Sequence, residues 1–174
     1  HYAWTTSWGV STRLIGGLVM THADDDGLVL PPRLAPSHIA ILPVYRSDDE
    51  KSEVMAYCDS LASELRSASY NGQPVAVELD DRDMNAGEKG WDWVRKGIPL
   101  IAEVGPRDIA KGGVFLCRRD EGRKARKPMA RDELVRAIPE LLDDIQAALL
   151  SRARAYRDEH TRDIDCWQDF AAFF

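Results

Sequence analysis

Apolar residues along this chain recur at two spacings, and the changes between them mark out its elements. Ala3 to Trp8 mixes aromatics with threonines in the manner of a strand. Ser11 and Thr12 then stand where a helix cap is wanted, ahead of Leu14, Ile15, Leu18 and Val19 at helical spacing. This helix is expected to end between His22 and Asp26, followed by a short strand from Gly27 through Leu28, Val29 and Leu30. Pro31, Pro32 and Pro36 forbid regular structure and set a boundary at residue 36.

Beyond that boundary the pattern alternates between strand and helix. Ile39 to Val44 predicts a strand, and Glu50 to Ala68 a helix with Val54, Tyr57, Leu61 and Leu65 on one face. Pro74 to Leu79 predicts a second strand, Gly87 to Lys96 a helix ended by Gly97, and Pro99 to Val104 and Gly112 to Cys117 two more strands. A long helical stretch begins at Asp132, with Pro139 expected to restart it at a first-turn position. Its apolar face is Leu134, Ile138, Leu141, Leu142, Ile145 and Leu149. Strands separated by helices predict an α/β fold with a largely parallel, helix-covered sheet. From Ser151 onward arginines alternate with acids, and Trp167, Phe170, Phe173 and Phe174 then fall at helical spacing, an apolar set expected to pack on something. The chain thus divides into residues 1–36, 37–150 and 151–174.

Composition narrows the classes. The 174 residues are 44% hydrophobic and 30% charged, a globular balance with enough length for a real core. A net charge of −6 argues against a generally cationic nucleic-acid binder but leaves room for a local basic patch. The three cysteines, Cys58, Cys117 and Cys166, are odd in number and widely spaced, so neither a disulfide framework nor a zinc knuckle follows, and a reducing compartment is expected. No apolar run approaches the roughly 20 residues that span a bilayer. The chain opens on His1-Tyr2-Ala3-Trp4, a strand entered midway, and is expected to be a piece of a larger polypeptide.

Four short stretches carry candidate chemistry. Asp80-Asp81-Arg82-Asp83 follows a strand, at the edge where open α/β sheets place ligands. Its carboxylates suit Mg²⁺, yet an Asp-rich turn more commonly caps the next helix, and no phosphate-cradling glycine loop lies nearby. Gly105-Pro106-Arg107-Asp108 follows another strand. There an arginine fork and a carboxylate suit the edges of guanine, or equally form a surface ion pair within the turn. Arg118 to Lys127 holds six basic residues and two acidic ones, fitting either phosphate contact or a solvated turn. Trp8-Gly9-Val10-Ser11-Thr12-Arg13 offers a glycine, a hydroxyl and an arginine at a helix start, suited to an anion or to plain capping. The four histidines have no triad or ligand spacing, so no catalytic residue is assigned.

Taken in order, SWGVSTR with GLVLPP, then ELDDRD, KGIPLIAEVGPRD and CRRD resemble the C-terminal portion of prolyl-tRNA synthetases of the archaeal- and eukaryotic-like form, from Trp4 to about Leu150. The resemblance implies that residues 1–36 are the end of the class II catalytic domain, a remnant of its antiparallel sheet carrying motif 3. It implies that 37–150 are an anticodon-binding domain with a mixed, mostly parallel five-stranded sheet and flanking helices, and that 151–174 are a linker and the start of a further domain. Under it, Ser11 and Arg13 bind ATP, Trp8 and Gly9 line the proline pocket, and Arg107 and Asp108, with Asp81, Arg82 and Lys96, read the anticodon. Arg118, Arg119, Arg123 and Lys124 then hold the tRNA backbone, and no residue ligates a structural metal. The implied reaction is ATP- and Mg²⁺-dependent attachment of proline to tRNA(Pro) by a cytoplasmic homodimer, without membrane contact. The fragment itself is expected to bind no cofactor tightly and to be inactive alone. Two positions depart from the family pattern: Val94 replaces a common acidic residue and Ile101 a common arginine, both expected beside the anticodon surface.

Two other classes stay open at this stage. One is a freestanding RNA-binding accessory protein built on the anticodon-binding domain, without ligase activity. The other is a small-molecule α/β enzyme using the carboxylates of residues 80–83 with Mg²⁺.

Overall fold

The computed structural model describes residues 3–122 and 125–173. Its centre is β1 (Ile39–Pro43), every residue of which is buried. β1 pairs in parallel with β4 (Val77–Leu79) on one side and β5 (Leu100–Val104) on the other. From β5 outward the sheet turns antiparallel, through β6 (Gly113–Arg118) to β7 (Arg126–Ala130), giving the order β4-β1-β5-β6-β7. The sheet is therefore mixed and five-stranded as expected, with its parallel ladders confined to β4, β1 and β5. β7 was not foreseen, because its charges and Pro128 read as a turn. An edge strand tolerates proline since its outer N–H needs no partner. β2 (Ser69–Tyr70) and β3 (Gln73–Pro74) form a separate small hairpin turned by Asn71 and Gly72, both at positive φ.

Alternation along the strands sorts side chains into two cores. On one face Ile39, Ile41, Leu100, Ala102, Val104, Val114 and Leu116 meet α2 (Asp48–Ser67) and α5 (Arg131–Glu159) through Val54, Leu61, Leu65, Ile138, Leu142 and Ile145. Ser47 starts α2 by accepting a hydrogen bond from the Glu50 amide. On the other face Ala40, Leu42, Ile101 and Cys117 lie in one buried cluster with Val94 and Ile98, against which Trp91 and Trp93 pack. That cover is α3 (Ala86–Lys96) alone, and it leaves Phe115 and Arg126 half-buried and Pro128 exposed toward the far edge. Two short elements complete this part of the chain, α4 (Pro106–Ile109) and a 3₁₀ turn at Arg119–Glu121.

α5 runs unbroken through Pro139, so the expected restart does not occur; buried residues from Leu134 to Leu149 hold the helix on both sides of the missing donor. Burial along the helix ends at Leu149, although the helix goes on past residue 150. α6 (Trp167–Phe173) carries Trp167 stacked on Phe170.

The first 36 residues depart most from expectation. Residues 3–11 have no regular structure and are exposed, so the strand expected at Ala3–Trp8 is not formed; among the described residues no strand pairs with them. α1 (Arg13–His22) follows, uncapped by the Thr12 side chain and without a buried residue. Gly27 forms an isolated bridge with Asp24, and Leu28 to Leu30 join no ladder. Instead the Leu28 amide donates to Arg95 O (3.2 Å) and the Leu30 amide to Gly97 O (3.0 Å), at the end of α3. This close approach depends on Gly97, at φ +75°, where a Cβ would lie 2.6 Å from Leu28 O.

α3 is tied to β4 by Asp80, a buried aspartate directly after the strand. Its carboxylate accepts from Arg82 Nε (2.9 Å) and Nη2 (2.7 Å) and from Trp93 Nε1 (2.8 Å). The buried Lys89 donates from Nζ to the Asp80 main-chain oxygen at 3.0 Å. The Arg82 guanidinium, above all, holds the Asp80 carboxyl down to about 2.

Two stability predictions result. Gly97→Ala is expected to cost about 1–3 kcal/mol in urea denaturation, from positive φ and the clash with Leu28; a loss within experimental error would contradict the close approach. Asp80→Asn is expected to lower stability by about 1.5–3 kcal/mol at neutral pH, because hydrogen bonds to a charged acceptor are lost. With its folded pKa below the ordinary value of about 3.9, Asp80 stabilises the fold above that value and ceases to as pH falls toward 2. Urea curves of the two proteins should therefore converge between about pH 4 and pH 2, whereas a gap that stays constant would show that the charge is not the cause.

Candidate functional site

Parallel strands point their carboxyl ends to one edge of a sheet, and three loops leave β4, β1 and β5 there. The loops after β1 and β5 border a cleft of about 410 Å³, between Val44-Tyr45-Arg46 with Glu50 on one side and Gly105 to Asp108 on the other, with Glu103 and Phe115 in its lining. Strand register builds a row across the sheet beside it. Leu42 stands opposite Glu103, Glu103 opposite Phe115, and Phe115 opposite Pro128. One pleat below lies the row Ala40, Ile101, Cys117 and Arg126.

Arg107 is exposed in the first turn of α4, with no ion pair among the described residues. Asp108 is half-buried, and its Oδ2 accepts from the Gly105 amide at 3.0 Å, closing the turn that presents Arg107. The structure thus separates the two residues by role: Asp108 shapes the loop while retaining lone pairs on its carboxylate, and Arg107 is the open donor. Glu103 is held by Arg126, with Nη1 at 2.6 Å, and the buried Nε of Arg126 has no hydrogen-bond partner. Arg46 is exposed on the opposite wall, its amide donating to Glu50 Oε2 at 2.8 Å.

Asp81 and Arg82 lie at the same sheet edge after β4, with β1 between them and the loop of Arg107. Asp81 is exposed; Arg82 is engaged with Asp80 and with Asp92 at 3.0 Å. The paired guanidinium and indole donors occupy the Asp80 carboxylate, and among the described residues no cluster of three acidic, histidine or cysteine side chains is arranged to hold a metal ion. That geometry does not support the Mg²⁺ enzyme reading of residues 80–83.

The remaining candidates are not brought to this cleft. Lys96 lies at the opposite sheet edge, its Nζ 4.4 Å from the Trp93 ring centroid. Arg118 and Arg119, at the end of the antiparallel β6, are on that opposite edge too. Arg118 pairs with Asp120 (2.9 Å) and Glu121 (3.2 Å). Arg119 is only 2% exposed and grips Asp24, so it is a structural ion pair rather than the backbone contact expected of it. Arg123 and Lys124 lie outside the described residues. Val94 and Ile101, expected beside a binding surface, are both buried between α3 and the sheet, where an unpaired charge would be costly. Trp8, Gly9, Ser11 and Arg13 are exposed, and nothing comes within 4 Å of a Cβ built on Gly9. None of them lines the cleft beside Arg107.

Sequence reasoning missed Tyr45, Arg46, Glu103 and Phe115, and placed Arg126 only within the basic run of residues 118–127. The rule that singled out residues 80–83 and 105–108, position just after a strand, applies equally to Tyr45 and Arg46. Glu103, Phe115 and Arg126 become neighbours only once the register of β5, β6 and β7 is known.

The arrangement combines donors, carboxylates and two rings over a half-covered sheet, a combination suited to reading unpaired bases. Comparison with known proteins agrees with it. Residues 38–141 match the family model described as "Anticodon binding domain". The whole chain is 51% identical over 174 residues to a protein named proline–tRNA ligase from Bdellovibrio bacteriovorus, covering 35% of that relative. It is 50% identical over 173 residues to proline–tRNA ligase 2 of Anaeromyxobacter dehalogenans, and 48% identical over 162 residues to a proline–tRNA ligase of Akkermansia muciniphila, covering 34% and 32% of them. The chain therefore spans about a third of the length of the curated relatives it matches. With the model matched over the whole sheet and over the loops that frame the cleft, this chain belongs to the anticodon-binding domain family.

Proposed function

We propose that this chain is the C-terminal part of a proline–tRNA ligase and that its share of the work is to read the anticodon of tRNA(Pro) at the cleft beside Arg107. The observation that carries this reading is the register row Leu42–Glu103–Phe115–Pro128, ending against the loop that displays Arg107. A half-covered sheet with a ring on its surface accepts splayed bases by stacking. Arg107 donates twice to the O6 and N7 of a guanine, and Glu103 and Asp108 accept from its N1–H and amino group. Arg46, together with the exposed Lys111 beside α4, supplies cations for the backbone at the same edge. These local charges matter more to binding than the overall −6.

Similarity over the full chain, residues 1–36 included, favours the ligase over a freestanding RNA-binding accessory. In that reading the parent enzyme uses ATP and Mg²⁺ to activate proline, acts as a cytoplasmic homodimer, and takes Ser11 and Arg13 as ATP contacts and Trp8 and Gly9 as part of the proline pocket. Residues 1–36 are the end of its catalytic domain, and 151–174 lead into a further one. Among the described residues no helix is long and apolar enough to cross a membrane.

Arg107→Ala is expected to weaken binding to a stem-loop with the two guanines of proline anticodons by about 1–3 kcal/mol, measured by fluorescence anisotropy, with little change for a stem-loop lacking them. Phe115→Ala should cost about 1–3 kcal/mol on any unpaired loop, because stacking is indifferent to sequence. Equal binding of wild type and both variants to all stem-loops would overturn the assignment. The 174-residue chain should show no proline-dependent ATP–pyrophosphate exchange, since Ser11 and Arg13 are exposed; measurable exchange would contradict that placement.

A further inference from the structure

The segment from α1 to Leu30 meets the anticodon-binding unit at a bidentate ion pair in which Arg119 is buried and Asp24 stays accessible. Arg119 leaves the end of β6 and passes beneath the C-terminus of α3, where its Nε donates to Val94 O at 3.1 Å. Its two terminal nitrogens then donate to the two carboxylate oxygens of Asp24, Nη1 to Oδ2 at 2.7 Å and Nη2 to Oδ1 at 2.5 Å. Asp24 also closes its own turn, accepting from the amides of Asp26 (3.0 Å) and Gly27 (3.2 Å). A fork-to-fork pair of this kind fixes orientation as well as distance. Nearby, Leu28 and Leu30 bond the last turn of α3, and both Gly27 and Gly97 permit contacts that any Cβ would block. Ninety-five residues separate the partners in sequence.

We propose that the Asp24–Arg119 pair is a positioning device that makes α1 and the anticodon-binding unit one rigid body, setting the angle between the segment carrying Ser11 and Arg13 and the RNA-reading cleft. The inference rests on the ligase reading for its consequence in catalysis, but the rigidity itself does not. Arg119 touches neither RNA nor nucleotide in this account. It acts through Asp24 and through the end of α3. Loss of the pair frees a joint without unmaking the cleft, which lies at the opposite edge of the sheet.

The test uses spin labels at Gly16→Cys on α1 and Ala56→Cys on the exposed face of α2, in the 174-residue chain with Cys166→Ser. The other two cysteines are buried. Pulsed dipolar spectroscopy should give one narrow distance distribution for the parent. Asp24→Asn should broaden it about twofold or more, a change in the slow collective motions that join two bodies. Asp24→Glu should recover much of the narrowness. Affinity for the guanine-containing stem-loop should stay the same in all three. In a full-length ligase, Asp24→Asn should leave proline-dependent ATP–pyrophosphate exchange unchanged and lower kcat/KM for tRNA by about tenfold or more, as misplacement does. Arg119→Lys, which keeps the charge but loses the fork, should behave like Asp24→Asn. An unchanged distance distribution in Asp24→Asn would overturn the proposal, as would exchange and tRNA charging falling together. Failure of the unlabelled parent to bind the stem-loop would instead count against the ligase reading, with the distance distribution still deciding the joint.

Discussion

Two long helices, α2 and α5, bury one face of the five-stranded sheet, and among the described residues a single eleven-residue helix, α3, covers the other. The rest of the structure depends on that imbalance. Apolar burial is the main driving force, so the doubly covered face is a continuous core from Val29 to Leu149. The second face closes only where Val94 and Ile98 reach Ala40, Leu42, Ile101 and Cys117. Toward β6 and β7 it stays half open, and there the side chains change from aliphatic to Glu103, Phe115, Arg126 and Pro128. The proposed RNA-reading surface is the uncovered remainder of the sheet, bordered by loops from the carboxyl ends of β1 and β5.

A helix that is sole cover for a face must be held in place, and α3 is fastened at two places. Along its length Lys89 and Trp93 bond Asp80, which Arg82 keeps ionised. At its end Arg119 satisfies Val94 O and pairs with Asp24, while Gly97 turns the chain away in the left-handed conformation. Both fastenings are bidentate arginine–carboxylate pairs with one partner buried, the geometry in which such pairs give direction as well as attraction. The polar residues that drew attention in the sequence thus divide by depth. Asp80 and Arg119 are inside and structural; Asp81 and Arg107 are outside and available.

Much of the parallel half was legible because its signals are local. The apolar run at Ile39, the spacing of Val54, Leu61 and Leu65, and Gly97 as a helix stop require no knowledge of distant residues. β7 was hidden because Pro128 and its charges resemble a turn, and only pairing with β6 makes them a strand. The basic run misled for a related reason: counting charges does not reveal that Arg118, Arg119 and Arg126 each have a carboxylate partner, two of them far away in sequence. Ala3–Trp8 read as a strand by composition, but a strand exists only with a neighbour. Arg107 was found by its place after β5, whereas Phe115 and Glu103 needed the register that sets them side by side.

In the proposed function RNA meets the half-covered face and its upper loops, not the basic run at the opposite edge. Titrating a guanine-containing proline anticodon stem-loop into the isotopically labelled chain, with amide shifts followed by NMR, tests this most directly. Shifts are expected at Tyr45, Arg46, Glu103, Arg107, Asp108 and Phe115, with Arg118, Arg119 and the outer face of α2 unmoved. Shifts centred on Arg118 and Arg119, with the cleft silent, would contradict it.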